Sequence, residues 1–527
     1  MKDRVSLTDF LMYHKETHPI SFHMPGHKGR STLYGIYGFG DFIKNVVGND
    51  ITEIPGADAL QQPRERIKYI MEGYAGLYGA KHTELLVNGS SAGLMASILG
   101  SVPRGDKLLM GRNSHKSVYG ALRLGGIDPV YIMPEIDGET GLQLGLDPDK
   151  IEAALIKDLD IKAVLVTSPN YYGVLSDIER IASIVHLYGR ILIVDQAHGA
   201  HLKFFDYLRS EDGLPHRAAE NCGADIVVDS THKTLLSFTG SAILNICTER
   251  PDVSRISELL RMLQTTSPSY LLMGSLDINQ QILRMDGYNL IKNWDADIKY
   301  FYEEAAQIAG LGLIDRIDLD ETKVSITMSA LGLSGPELAE ELEKRNIWVE
   351  LTHGDYVMLM TGLGNERGDY EDVLSALRDL SAHHGGRIQG VEPESSASKT
   401  ESAAQNASQK QAKNEAQAAN KNASQPVDKI AELRTPSSDS ALIERLEQRR
   451  IPDTYEEVPL YSAEGRVLYE SIIPYPPGSP IACPGEVLSK SVILYVRDQL
   501  VAQHVVLGVD EEGRVKVESD CVLFKEI

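Results

Sequence analysis

Asp225-Ile-Val-Val-Asp-Ser-Thr-His-Lys233-Thr decides the reading of this chain: an apolar, β-branched run ends in hydroxyls, a histidine and a lysine. A second such run lies upstream, Ile191-Leu-Ile-Val-Asp195-Gln-Ala-His198-Gly-Ala. Taken singly, Ser-x-His-Lys is ordinary surface-loop material, and an Asp after a buried strand is an ordinary helix cap. Their order along the chain is more telling. An acid at one strand end and a lysine at another suit pyridoxal phosphate: the lysine amine forms the Schiff base, and the acid pairs with the protonated pyridine nitrogen.

Further runs extend the pattern outward. Glu84-Leu-Leu-Val-Asn88, Lys107-Leu-Leu-Met110, Val130-Tyr-Ile-Met133 and Ala163-Val-Leu-Val-Thr167 are short and continuous, as in a sheet covered on both faces. Amphipathic helical patterns alternate with them, such as Asp177-Ile-Glu-Arg-Ile-Ala-Ser-Ile-Val-His-Leu-Tyr188. This alternation predicts an α/β large domain with a mainly parallel sheet, whose ligands bind at the carboxyl ends of the strands. Asn88, Thr167, Asp195 and Asp229 fall at those ends.

The expected organisation is an N-terminal segment (1–50), a large cofactor-binding domain (51–290), and a small α+β domain (291–390). A flexible low-complexity linker (391–427) and a separate C-terminal α+β domain (428–527) follow. The linker is rich in Ala, Gln, Asn, Lys and Ser, with too little large apolar surface to offset its chain entropy. The C-terminal domain is expected to hold a helix near 440–449 and a turn at Asp510-Glu-Glu-Gly513.

The 527 residues are 42% hydrophobic and 24% charged, which is ordinary globular material. A net charge of −23 with no basic stripe excludes nucleic acid as the expected partner. Four cysteines without CxxC spacing indicate a reducing compartment and neither disulfides nor a metal. Neither an apolar signal core nor a run near the ~18 apolar residues of a membrane helix is present, so a cytoplasmic location is expected.

Asn88-Gly-Ser-Ser-Ala-Gly93 follows a strand and precedes a helical stretch. Ser90, Ser91 and Ala92 would offer backbone donors to a phosphate at a helix N-terminus. His115, in Arg112-Asn-Ser-His115-Lys-Ser117, would stack on a pyridine ring. Thr167 would face the cofactor, His198 would meet its phenolic oxygen, and Ser230 and His232 would complete the phosphate site. Each of these loops reads equally as polar packing when taken alone.

Together the blocks resemble the Orn/Lys/Arg decarboxylases of pyridoxal phosphate fold type I, bacterial basic amino acid decarboxylases. In overall size the chain resembles the short Bacillus-type arginine decarboxylases. The family resemblance rests on Phe22-His-Met-Pro-Gly-His-Lys-Gly29, Asp50-Ile-Thr-Glu-Ile-Pro-Gly-Ala-Asp58 with Gln62-Pro63, and Asp195-x-Ala-His198-Gly. Ser230-x-His-Lys233, Tyr475-Pro-Pro-Gly-x-Pro480 and Pro484-Gly-Glu486 complete it. By position the resemblance implies Lys233, Asp195 and His115 as catalytic residues, and Glu486 as a contact for the distal cation of the substrate. It also implies a homodimer or higher homo-oligomer. Gln196 stands where many relatives carry Glu, and His353 where shorter relatives often carry an acid.

The function expected from this resemblance is α-decarboxylation of a basic L-amino acid to its amine and CO2, with arginine first and lysine or ornithine next, in polyamine or amine metabolism. A fold type I aminotransferase or lyase is the alternative reaction, because fold alone does not fix chemistry. A non-catalytic regulatory paralogue is the remaining alternative.

Overall fold

In chain order the first thirteen strands are β1 (Ile20–Phe22), β2 (His82–Leu86), β3 (Lys107–Gly111), β4 (Asp128–Ile132), β5 (Ile161–Thr167), β6 (Ile191–Asp195), β7 (Ile226–Asp229), β8 (Ala242–Ile246), β9 (Gly312–Leu313), β10 (Lys323–Thr327), β11 (Ile347–Val349), β12 (Leu351–His353) and β13 (Tyr356–Met360). The structure is a computed structural model describing residues 6–388, 446–449, 451–452, 454–475, 478–501 and 505–519. The linker expected at 391–427 lies outside the described residues. Of the helix expected near 440–449, only 446–449 are described, and these are not helical.

Strands β2 to β8 form one sheet in the order β2-β8-β7-β6-β5-β3-β4. β3, β4, β5, β6 and β7 pair in parallel, and β8 runs antiparallel to both β2 and β7. The sheet is covered on both faces, so its strands read as continuous apolar runs: residues 163–166 of β5 and all of β7 are buried. The sequence reading omitted β8. Its run is interrupted by Asn245, which is buried and hydrogen-bonds Thr83, Glu220 and Asp229.

β8 decides where the site forms. Lying antiparallel between β2 and β7, it leaves those two strands pointing the same way. Their carboxyl ends, at Asn88 and Ser230, therefore open at one edge of the sheet. The link is direct: Gly89 N–H donates to Gly240 O at 2.8 Å, and the His232 ring bonds Ser241 O at 2.6 Å. Gly89 has φ +71°, a left-handed turn that glycine adopts without a Cβ penalty.

The small domain is a sheet ordered β12-β13-β10-β9, flanked by helices Gly335–Glu343 and Arg367–Ile388. Helix Tyr270–Ala305 runs through the boundary expected at 290/291, and its backbone leaves helical geometry at Asp286 (φ −148°, ψ 18°). The N-terminal segment is not an appendage: β1 pairs in parallel with β11, Phe22 opposite Val349. The C-terminal domain has its own core, including Leu468, Ile472, Val492, Val496, Val515 and Val517. It is built from β14 (Tyr455–Pro459), β15 (Ile473–Tyr475), β16 (Val505–Leu507), β17 (Arg514–Glu518) and helix Lys490–Val501. The expected turn is present, with Asp510 accepting from the Glu512 and Arg514 amides.

A buried ionic network joins the two larger domains. Lys323 Nζ donates to Asp320 at 3.0 Å, to Thr322 Oγ1 at 3.1 Å and to the His198 carbonyl at 3.1 Å. His201 bridges Asp320 (3.1 Å) and Thr234 (3.2 Å), beside Lys233. Burial alone would raise the Asp320 carboxyl, but His201 and Lys323 hold it well below the ordinary range. Removing one partner leaves a buried charge uncompensated. Asp320→Ala is therefore expected to lower unfolding stability by about 3–5 kcal/mol in a denaturant titration.

Candidate active site

Lys233 sits in the single turn Thr231–Thr234 that follows β7. Its pKa is lowered from 10.5 to about 8: burial lowers it most, Asp195 and Glu350 oppose that, and Lys323 adds to it. Asp195 ends β6, is 3% exposed, and accepts the Ala197 amide at 3.2 Å. Burial raises its pKa, while Lys233 and the Ala197 amide partly offset that. A carboxylate so buried gains from a cationic partner.

The remaining predicted residues stand around this pair. His115 caps helix Lys116–Gly125, its Nδ1 facing Ser117 Oγ at 2.9 Å. Burial, then Lys233 and Lys116, lower its pKa to about 4, so the ring is neutral. His232 is also lowered to about 4, chiefly by burial. Ser90, Ser91 and Ala92 form the first turn of helix Gly89–Ser101, where amides lack intrahelical acceptors. Thr167 Oγ1, His198 Nδ1 and Ser230 Oγ are buried and find no hydrogen-bond partner among the described residues. Such groups are costly unless a ligand satisfies them. They sit at or just after the ends of β5, β6 and β7, so the donor set fits a phosphate-bearing heteroaromatic group.

Two further residues are held by protein partners. One carboxylate oxygen of Glu486, Oε2, is taken by Arg112 at 2.8 Å and by the Cys483 amide at 2.8 Å. Within this chain Glu486 is thus ion-paired with Arg112 through that oxygen. Burial pushes its carboxyl up against the pull of Arg112. Asp229, at a strand end, accepts from Gln196 (2.9 Å) and Asn245 (3.1 Å). Burial and Glu220 push its pKa well up. Gln196 donates to both Glu220 and Asp229, which explains an amide at this position: a third carboxylate could not bridge two others.

The sequence reading missed Glu350. This acid is 6% exposed, contacts His23 Nδ1 at 2.8 Å, and accepts the Met24 amide at 3.0 Å and Tyr171 Oη at 3.2 Å. The Tyr171 ring meets the His198 ring edge-on, with centroids 4.9 Å apart. His353, three residues on, instead packs on Tyr172 and bonds Gly141 O. The His23–Lys28 block closes over the lysine segment: Gly26 N–H donates to His232 O at 2.7 Å, and a Cβ on Gly26 would overlap the Thr234 and Leu235 backbones. Lys28, buried there, donates to the His23 and Met360 carbonyls, and burial lowers it to about 7. No local motif marks Glu350, because its role arises from contacts across more than 300 residues of chain.

Lys233 and Asp195 thus stand at the ends of the neighbouring strands β7 and β6 of a largely parallel sheet. The family model for the Orn/Lys/Arg decarboxylase major domain matches residues 5–311, and that for its C-terminal domain matches residues 439–508. The chain belongs to the Orn/Lys/Arg decarboxylase family and is an enzyme of that class. An arginine decarboxylase of Bacillus anthracis is 30% identical over 519 residues, covering 95% of this chain and 94% of its own length. The constitutive lysine decarboxylase of Escherichia coli shares the fold, with TM-score 0.65 and 18% identity over 97% of this chain and 81% of its own. An L-threonine transaldolase of Pseudomonas fluorescens, solved in its internal aldimine state, aligns with TM-score 0.54 and 15% identity over 71% of this chain and 86% of its own. The architecture is that of fold type I enzymes.

Because only the neutral amine is nucleophilic, capture of Lys233 by a small amine-reactive aldehyde should rise with pH. The expected midpoint is about 8, against 10.5 for an ordinary lysine. Asp195→Asn removes a charge that favours the ammonium, so it should move the midpoint lower. Residue-resolved mass spectrometry checks both; a midpoint near 10.5 would contradict the burial argument.

Proposed function

We propose that this chain decarboxylates a basic L-amino acid at Cα with pyridoxal phosphate as cofactor, arginine being the first substrate and lysine or ornithine next. The observation that carries the reading is the Lys233 amine, lowered to about 8, together with buried Thr167, His198 and Ser230 atoms that find no partner among the described residues. The 30%-identical arginine decarboxylase supports the choice of substrate.

Pyridoxal phosphate, when bound, supplies a ring that takes up the electron pair left at Cα as CO2 departs. The first-turn amides of Ser90, Ser91 and Ala92, with Ser230 and His232, would hold its phosphate. Asp195 would keep the pyridine nitrogen protonated, and neutral His115 would cover the ring. Thr167 and His198 would satisfy its remaining polar edge. Lys233, partly neutral near pH 8, would attach the cofactor and release the product amine. An amine product would serve polyamine or amine metabolism.

Assembly as a homodimer or larger homo-oligomer belongs to the same reading, and Leu7, Phe10, Met12, Tyr13, Val47 and Ile54 are exposed apolar residues that such a contact could cover. Among the described residues no helix is long and apolar enough to cross a membrane. The three described cysteines are free, which suits the cytoplasm.

Purified protein loaded with pyridoxal phosphate should release CO2 from at least one of arginine, lysine and ornithine, with the amine identified by mass. Lys233→Ala should abolish turnover. Formation of an oxo acid without CO2, or full turnover by the Lys233→Ala protein, would sink the proposal.

A further inference from the structure

The loop after β3 carries His115, and the C-terminal domain grips that loop on both sides of it. Arg112 donates to Pro480 O at 2.7 Å, to Ile481 O at 3.3 Å and to Glu486 Oε2 at 2.8 Å. Ser479 Oγ donates to Asn113 O at 3.0 Å. The Lys116 amide, an orphan donor at the start of its helix, donates to Gly478 O at 3.2 Å. His115 lies between the second and third of these anchoring residues.

The ion pair at the centre of this contact is almost sealed, with Arg112 and Glu486 side chains each 3% exposed. Arg112 Nη1 also meets Tyr119 Oη at 3.0 Å, and Tyr119 Oη returns a hydrogen bond to Arg112 O at 2.6 Å. Arg112 therefore fixes its own backbone through a tyrosine on the helix that His115 caps. Beside the grip, a cavity of about 990 Å³ opens between the domains, lined by Arg112, Lys116, Tyr119, Cys483 and Glu486 among others. Close apolar packing does not fill that space, so directional polar contacts hold the loop.

We propose that Arg112 and Glu486 are positioning residues: they brace the His115 loop so that the imidazole is held over the cofactor ring. The C-terminal domain acts on the site through this brace. The inference rests on the reading that His115 faces pyridoxal phosphate, and it replaces the role of Glu486 as a substrate contact. Charge-assisted hydrogen bonds are stronger than neutral ones, and the Arg112 guanidinium spreads its donors over Tyr119, Pro480 O, Ile481 O and one oxygen of Glu486, which fixes its geometry.

The test is a double-mutant cycle between Glu486→Gln and His115→Ala on the full chain. Its readouts are pyridoxal phosphate affinity without substrate, the induced circular dichroism of the bound cofactor, and KM at saturating cofactor. Glu486→Gln should weaken cofactor binding about tenfold and alter the dichroic band, leaving KM within about twofold. In the His115→Ala background the same change should have almost no further effect on affinity. Ser479→Ala, which removes one peripheral anchor, should act in the same direction and more weakly.

Equal losses of affinity in both backgrounds would overturn the proposal, because the brace would then act on stability and not through His115. A raised KM with unchanged cofactor affinity would also overturn it and return Glu486 to the substrate. A wild-type chain that takes up cofactor but releases no CO2 would refute the proposed reaction alone, since the affinity cycle still reads the brace. A wild-type chain that takes up no cofactor would overturn both.

Discussion

The constraint on which this structure depends is the burial of the Lys233 amine among fixed charges. A lysine in water is protonated to about pH 10.4 and is a poor nucleophile at neutrality. Here burial lowers it, Asp195 and Glu350 limit the fall, and Lys323 adds to it. Each of those groups is held by a different part of the chain: Asp195 by β6, Lys323 by the small domain, and Glu350 by the N-terminal block it receives. The value near 8 is thus a property of the assembled fold, and of no single segment.

The same constraint accounts for much of the surrounding packing. Lys323 is tolerated inside because Asp320, Thr322 and the His198 carbonyl take its three donors. Glu350 is tolerated because His23, the Met24 amide and Tyr171 satisfy it. The same N-terminal block that brings His23 and Met24 to that carboxylate passes close over Thr234 and Leu235 at Gly26. Buried charges tied in this way join the N-terminal block, the large sheet and the small domain.

The residues proposed to face the cofactor were legible in the sequence where they end buried strands. Lys233, Asp195 and Thr167 follow continuous apolar runs, and parallel strands place their carboxyl ends at one edge. β8 was not legible, because Asn245 breaks its run and the Thr83 hydroxyl that pairs with it lies 162 residues away. Glu350, Lys323 and Lys28 were not legible as site residues either, since a charge in a strand or loop has no local signature of burial. Glu486 was legible as a member of a motif, but its partner was not: Arg112 lies 374 residues away along the chain. Strand ends are local features, whereas charge pairing is settled only by tertiary contact.

The most direct test of the central claim is reductive trapping. The protein is incubated with pyridoxal phosphate near pH 8, reduced with borohydride, digested and mapped by mass spectrometry. The account predicts one phosphopyridoxyl group per chain, on Nζ of Lys233, with the buried Lys28 and Lys323 unmodified. A label on another lysine, or none on Lys233, would contradict it.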